Sequence, residues 1–201
     1  MPGASFDDSS VDRDRRRFLT AGTSVVGAVG AAAAAVPFIA SWPPSEKAKT
    51  AGAPVEVDIS KLQPGMKITI KWRGKPVWIV RRTPAMLASL ESVADKLGDP
   101  ESDKNMQPDY AKNAHRSINP EILVMVGICT HLGCSPTYRP EIAPQDLGED
   151  WQGGFFCPCH GSLFDLAGRV YKGMPAPDNM PVPPHRYINE SLLLIGEEEV
   201  A

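Results

Sequence analysis

All four cysteines of this chain fall between residues 129 and 159, and two of its four histidines lie among them. They form two short boxes, Cys129-Thr-His131-Leu-Gly-Cys134 and Cys157-Pro-Cys159-His160-Gly-Ser162. Each box pairs one cysteine with one histidine and leaves a second cysteine over. Thiolate and imidazole are good ligands for zinc and iron, so the two boxes could together surround one metal centre. At 201 residues the chain has room for one ordinary domain plus extensions. Twenty prolines and seventeen glycines favour a loop-rich domain built from strands. A net charge of −3 gives no sign of nucleic-acid binding, which draws on a basic surface.

Three chemistries compete for the boxes. A structural zinc site takes two cysteines and two histidines, but usually as a Cys pair and a His pair. All six residues would overfill its tetrahedron. Two disulfides in an exported domain would use every cysteine but leave His131 and His160 without a role. The third is a diiron cluster in which one iron takes two cysteines and the other two histidines.

The boxes closely resemble those of the Rieske family, in particular the iron–sulfur subunits of bacterial ubiquinol–cytochrome c reductases. CTHLGC and CPCHGS stand in that family's order with a comparable gap, and Gly173-Met-Pro-Ala-Pro177 is similar to its proline-rich loop beside the cluster. The resemblance implies one [2Fe–2S] cluster per chain, with Cys129 and Cys157 on the buried iron and His131 and His160 on the outer one. It also implies a Cys134–Cys159 disulfide and a hydrogen bond from Ser162 to a bridging sulfide. In many relatives a tyrosine stands two residues after that serine; here it is Phe164.

The charge count explains the value of this ligand set. Two Fe³⁺ and two S²⁻ carry +2, so two thiolates and two neutral imidazoles give a neutral oxidised site, where four thiolates would give −2. An electron enters a neutral centre more easily than a dianion. An imidazole on ferric iron also holds its remote proton less tightly, and reduction tightens that hold. His160 and His131 are therefore the expected catalytic pair, with His160 accepting the hydrogen bond from quinol. Leu132, Gly133 and the prolines at 175 and 177 are expected to form an apolar collar.

The N-terminus reads as an address and an anchor. Arg15-Arg16, one further residue and Phe18-Leu19 resemble a twin-arginine export signal within residues 1–17. Residues 18–42 carry no charge and are long enough to cross ~30 Å of hydrocarbon. The arginines before this stretch keep the N-terminus cytoplasmic. Small residues at Ala31–Ala35 would permit cleavage, but the run exceeds an ordinary signal's apolar core, which favours a retained single-pass anchor. Residues 43–54 read as a flexible tether, for swinging or as a passive spacer. Residues 55–201 read as a mostly β, Rieske-type antiparallel domain with a cluster-binding insertion at about 127–178.

Strand patterns run at Val55–Ile59, Met66–Trp72, Pro76–Arg81, Ile122–Ile128, Gly154–Phe156, Arg169–Tyr171, Tyr187–Ile188 and Leu192–Ile195. Thr83-Pro84 reads as the cap and first residue of a helix reaching about Lys96, closed by Gly98. Trp72 and Trp78 are expected in the core, and His115 and His185 on the surface or in turns.

The resemblance implies an electron-transfer subunit of the cytochrome bc1 complex, an enzyme that oxidises ubiquinol and translocates protons. It would work in the bacterial inner membrane, with its head periplasmic. Expected partners are cytochrome b, a c-type cytochrome, ubiquinol and membrane lipid, in a dimeric complex. The small Rieske subunit of an arsenite oxidase is the nearest rival, and the anchor, tether and GMPAP loop tell against it. Rieske oxygenases and their ferredoxins usually lack Cys134 and Cys159 and any export signal. The photosynthetic quinol reductase is disfavoured by the polar excursion at residues 91–120.

Overall fold

The computed structural model describes residues 12–46 and 52–197, which fall into two compact units divided after Lys49. The tether expected at 43–54 lies partly outside the described residues.

In the first unit, helix α1 runs Arg13–Ala40. Asp12 caps it, its carboxylate accepting from the backbone N–H of Asp14 and Arg15. Alanine, valine and glycine fill the body, and no residue of the helix is buried. Its uncharged part, residues 18–40, reaches about 34 Å at ~1.5 Å per residue, enough for the hydrocarbon core. Val26, Val29, Phe38 and Trp42 all stand exposed. Beyond Arg17 the helix carries no charged side chain, as a membrane-spanning segment would. Among the described residues it is the one helix long and apolar enough to cross a membrane.

The second unit holds three antiparallel three-stranded sheets. The first pairs β1 (Val55–Asp58) with β9 (Leu192–Ile195), and β9 with β8 (His185–Asn189). In the second, β3 (Lys75–Arg81) lies between β2 (Lys67–Trp72) and β4 (Ile122–Val126). The third is built from β5 (Thr137–Arg139), β6 (Gly154–Phe156) and β7 (Leu163–Phe164), and lies between β4 and β8 in the chain.

The period of two along β3 and β4 divides the core. Val77, Ile79, Ile122 and Val124 face one cluster, packed with Val57, Leu193 and Ile195. Trp78, Val80, Leu123 and Met125 face the other, packed with Phe155, Phe164, Met180, Cys129 and Cys157. The second sheet is thus shared by both cores, and the thiols of both boxes belong to one of them. Trp78 stacks on Phe155 at 5.4 Å between ring centroids.

Local chemistry sets the connections. Arg73 and Gly74 both have positive φ, as a two-residue turn between β2 and β3 requires. Thr83 caps α2 (Pro84–Ser92), which stops short of the expected Lys96. From Val93 the chain turns to bury Val93 and Leu97, through a 3-10 turn at Ala94–Lys96. The strand expected at Arg169–Tyr171 makes only isolated bridges, Phe164↔Val170 and Leu97↔Tyr171. β5 and β7 were not expected: neither stands out from its turn-rich neighbours. His185 also departs from expectation. It begins β8, is buried, and contacts the Tyr110 hydroxyl and the Pro183 carbonyl. Trp72 and Trp78 are buried as expected, and His115 sits half-buried in a turn.

Gly127 joins β4 to the first box, and a Cβ there would lie inside the Trp78 indole. Gly127→Ala is therefore expected to destabilise the fold by about 3 kcal/mol, through overpacking against a ring held on both faces. A urea-denaturation comparison with the native chain checks this.

Candidate metal centre

The two boxes are the same turn built twice. In the first, Cys129 N–H donates to the Cys134 carbonyl at 2.7 Å and Gly133 N–H to the Cys129 carbonyl at 3.1 Å. In the second, Cys157 N–H donates to the Ser162 carbonyl and Gly161 N–H to the Cys157 carbonyl, each at 2.9 Å. Gly133 and Gly161 occupy matching places, with φ of 84° and 75°. A residue bearing a side chain would be strained there. The glycine within each box thus has a backbone reason.

Cys134 and Cys159 are joined in a disulfide, fastening one loop to the other across 25 residues of sequence. Cys129 and Cys157 remain free and almost fully buried. The sulfurs of Cys134, Cys157 and Cys159 lie within 4.8 Å of one another, but two of these are committed to the disulfide and cannot serve a metal. Burial pushes the Cys129 thiol up, and the neighbouring Cys157 adds to this. The His131 backbone N–H and the Ser162 side chain pull it back. A buried thiol of this kind stays protonated until a cation takes the proton's place.

The histidines behave differently. His160 is exposed and His131 half-buried, with ring centroids 4.6 Å apart and planes nearly perpendicular. His131 Nδ1 is buried without a hydrogen-bond partner, although such a nitrogen normally finds one. An iron ligated at that nitrogen would remove the deficit. The donor set is therefore two sealed sulfurs and the nitrogens of two imidazoles, one half-buried and one exposed. With the disulfide made, Cys₂His₂ would satisfy zinc by number as well as a diiron cluster. Kinship decides between them.

A Rieske [2Fe–2S] domain model matches residues 54–184. A second model, described as Ubiquitinol-cytochrome C reductase Fe-S subunit TAT signal, matches residues 7–45. The ubiquinol-cytochrome c reductase iron-sulfur subunit of Allochromatium vinosum is 64% identical over 188 residues, spanning 94% of this chain and 91% of that one. The protein of the same name from Bradyrhizobium diazoefficiens is 42% identical, over 94% of this chain and 98% of its own. A solved chain from a hyperthermophilic respiratory Complex III aligns with 86% of this chain and 98% of its own, at 28% identity and a TM-score of 0.47. The chain belongs to the Rieske family of ubiquinol–cytochrome c reductase iron–sulfur subunits.

The family's prosthetic group is a [2Fe–2S] cluster, and the donors fit it. The surroundings of the Rieske loops are equally specific. Ser162 is buried, and its hydroxyl accepts from Ala176 N–H at 3.1 Å, tying the second box to the proline-rich loop. Thr130 donates to the Asp178 carbonyl at 2.6 Å, tying the first box to the end of that loop. Leu132 is 72% exposed beside His131, and Pro175 and Pro177 are exposed too. Phe164 is fully buried in β7 against Phe155, so it is a core aromatic as well as a tyrosine replacement.

Sequence reasoning missed a polar layer beneath the second box. Arg82, Arg116, Arg169 and Asp165 are all buried. Arginine at a strand end or in a polar excursion reads as solvated, and no periodicity marks it otherwise.

Replacing Cys159 with serine opens a 25-residue closure. It is expected to cost about 3 kcal/mol on the chain-entropy estimate, with faster cluster loss on warming. Thermal denaturation followed at a visible absorption band checks both.

Proposed function

We propose that the chain carries one [2Fe–2S] cluster on Cys129, Cys157, His131 and His160, and is the electron-transfer subunit of a cytochrome bc1 complex. It takes an electron and a proton from ubiquinol and passes the electron to a c-type cytochrome. Cytochrome b, the c-type cytochrome and membrane lipid are its partners, and the working complex is a dimer. Residues 18–42 hold it in the bacterial inner membrane, with the N-terminus cytoplasmic. Residues 43–54 tether a periplasmic head, in which about 127–178 form the cluster-binding part.

One observation carries this reading: both thiols are sealed in the core, whereas the two histidine rings lie against each other nearer the surface, His160 exposed and His131 half-buried. When bound, the cluster supplies a neutral one-electron acceptor with a potential in the roughly −150 to +300 mV range of such centres. The protein contributes the rest. Exposed His160 accepts the hydrogen bond from the ubiquinol hydroxyl and holds the proton at its outward ring nitrogen. Leu132 and the exposed prolines give the quinol ring an apolar contact and thin the water around it. The paired turns and the disulfide fix the two imidazoles relative to each other, so that little rearrangement accompanies the transfer. Ser162 reaches toward the sulfur side and donates there. The same exposed edge then faces the c-type cytochrome. Release of the held proton on the periplasmic side gives the contribution to proton translocation.

His160→Gln is expected to alter the reduced protein's EPR spectrum and lower ubiquinol oxidation by the complex more than a hundredfold, the scale of a lost proton acceptor. A normal cluster together with normal ubiquinol oxidation in that variant would contradict the assignment. Phe164→Tyr is expected to raise the midpoint potential by the equivalent of about 1 kcal/mol, the net worth of one hydrogen bond to a ligand sulfur. Spectroelectrochemical titration of the two proteins measures it.

A further inference from the structure

Beneath the second box, three guanidinium groups from distant parts of the chain converge on the turn that follows β7. Arg82, at the end of β3, donates to the carbonyls of Pro120, His115 and Leu166 and to the Ser117 hydroxyl. Arg116, from the polar excursion, donates to the carbonyls of Ala167, Gly168 and Met180 and to Gln107. Arg169 pairs with Asp165 at 2.7 Å and donates to the carbonyls of Leu90 and Pro100. All three arginines are at most 1% exposed.

This arrangement is unusual in how little of its charge is neutralised. Buried charges are normally paired, and Asp165 pairs with Arg169 alone. Asp99 is the other carboxylate near enough to act on Arg116, and it is occupied by the N–H groups of Asp103 and Lys104 and by the Asn179 amide. Arg82 and Arg116 bind mainly carbonyl dipoles, and Arg116 Nε has no partner. Burial lowers both guanidinium groups only to about 10, so they remain cationic at neutral pH. Three positive charges thus face two negative ones in a water-poor interior.

The layer adjoins the apolar cluster that holds the cysteines. Arg116 Nη1, Met125 Sδ and Met180 Cβ all lie within 3.4 Å of where a Cβ on Gly168 would sit. Met125 and Met180 belong to the same apolar cluster as Cys129 and Cys157. The buried thioether and aromatic side chains of that cluster surround the thiols, so a charge at its edge is weakly screened.

We propose that the Arg82–Arg116–Arg169 layer is a buried electrostatic positioning element that raises the reduction potential of the centre held by Cys129 and Cys157. The inference rests on the cluster assignment above. Reduction takes the site from neutral to −1, and a net positive charge behind it stabilises that product over the reactant. The layer supplies from charge part of what a tyrosine hydroxyl at position 164 would supply. It also gives the excursion at residues 91–120 a purpose, since that segment delivers both Arg116 and Asp99.

The test is a redox titration of the purified full chain, monitored by EPR, in native, Arg116→Gln, Arg116→Lys and Asp99→Asn forms. The EPR signal of the reduced native protein reports whether the cluster is present, so its absence there would count against the cluster assignment and not the arginine layer. Arg116→Gln is expected to disfavour reduction about tenfold, ~59 mV for one electron, the scale of one unit charge across a layer of protein. The signal itself should stay unchanged, and the shift should persist at high salt. Arg116→Lys keeps the charge and should restore most of the potential, whereas Asp99→Asn should raise it. Equal shifts in Arg116→Gln and Arg116→Lys would mean a purely bracing role and overturn the proposal. An unshifted potential in Arg116→Gln would do the same. Should Arg116→Gln hold no cluster, Asp99→Asn decides, and a lowered or unchanged potential there rejects the idea.

Discussion

Two turns with the same backbone hydrogen-bond pattern meet, and the Cys134–Cys159 disulfide fastens them. That junction sets the geometry on which the rest depends. Each turn buries its first cysteine and leaves its histidine nearer the surface, and a glycine with positive φ, placed after the histidine, closes the turn. Without the cross-link each loop would hold half a ligand set on a flexible segment. With it, two sulfurs and two nitrogens keep a common frame before any iron binds, so less ordering remains for the metal to impose.

The frame is supported from below. β3 and β4 divide their side chains between two cores, one of which contains the free cysteines. Trp78 and Phe155 stack under the loops, and glycines at 127 and 154 let backbone and ring approach where a methyl group would collide. The proline-rich loop is drawn in by Ala176 N–H on Ser162 and by Thr130 on the Asp178 carbonyl. Lys104 adds an ion pair to Asp178 and a bond to the Pro177 carbonyl. The excursion that carries Lys104 and Arg116 therefore acts as a brace for the metal-centre loops.

Much of the centre was legible from residues 129–162, because ligand chemistry needs particular side chains at short spacing and the glycines mark the turns. The long strands were legible from their period of two. The short strands β5 and β7 were not, since neither stands out from its turn-rich neighbours, whereas Phe155-Phe156 mark the equally short β6. His185 was misread because Pro183-Pro184 suggests a turn, whereas Tyr110, 75 residues away, seals that histidine inside. The buried arginines were illegible for a related reason. Most of their partners are backbone carbonyls, which every sequence possesses and none advertises.

The central claim is that mixed sulfur and nitrogen ligation gives a centre whose electron uptake is coupled to a histidine proton. The most direct measurement is the midpoint potential of the purified chain as a function of pH, with iron and acid-labile sulfide determined on the same sample. The account predicts two irons and two sulfides per chain, and a potential that falls as alkaline pH strips the histidine proton from the oxidised form. A chain containing zinc or no metal, or a loaded one whose potential stays flat from neutral to strongly alkaline pH, would contradict it.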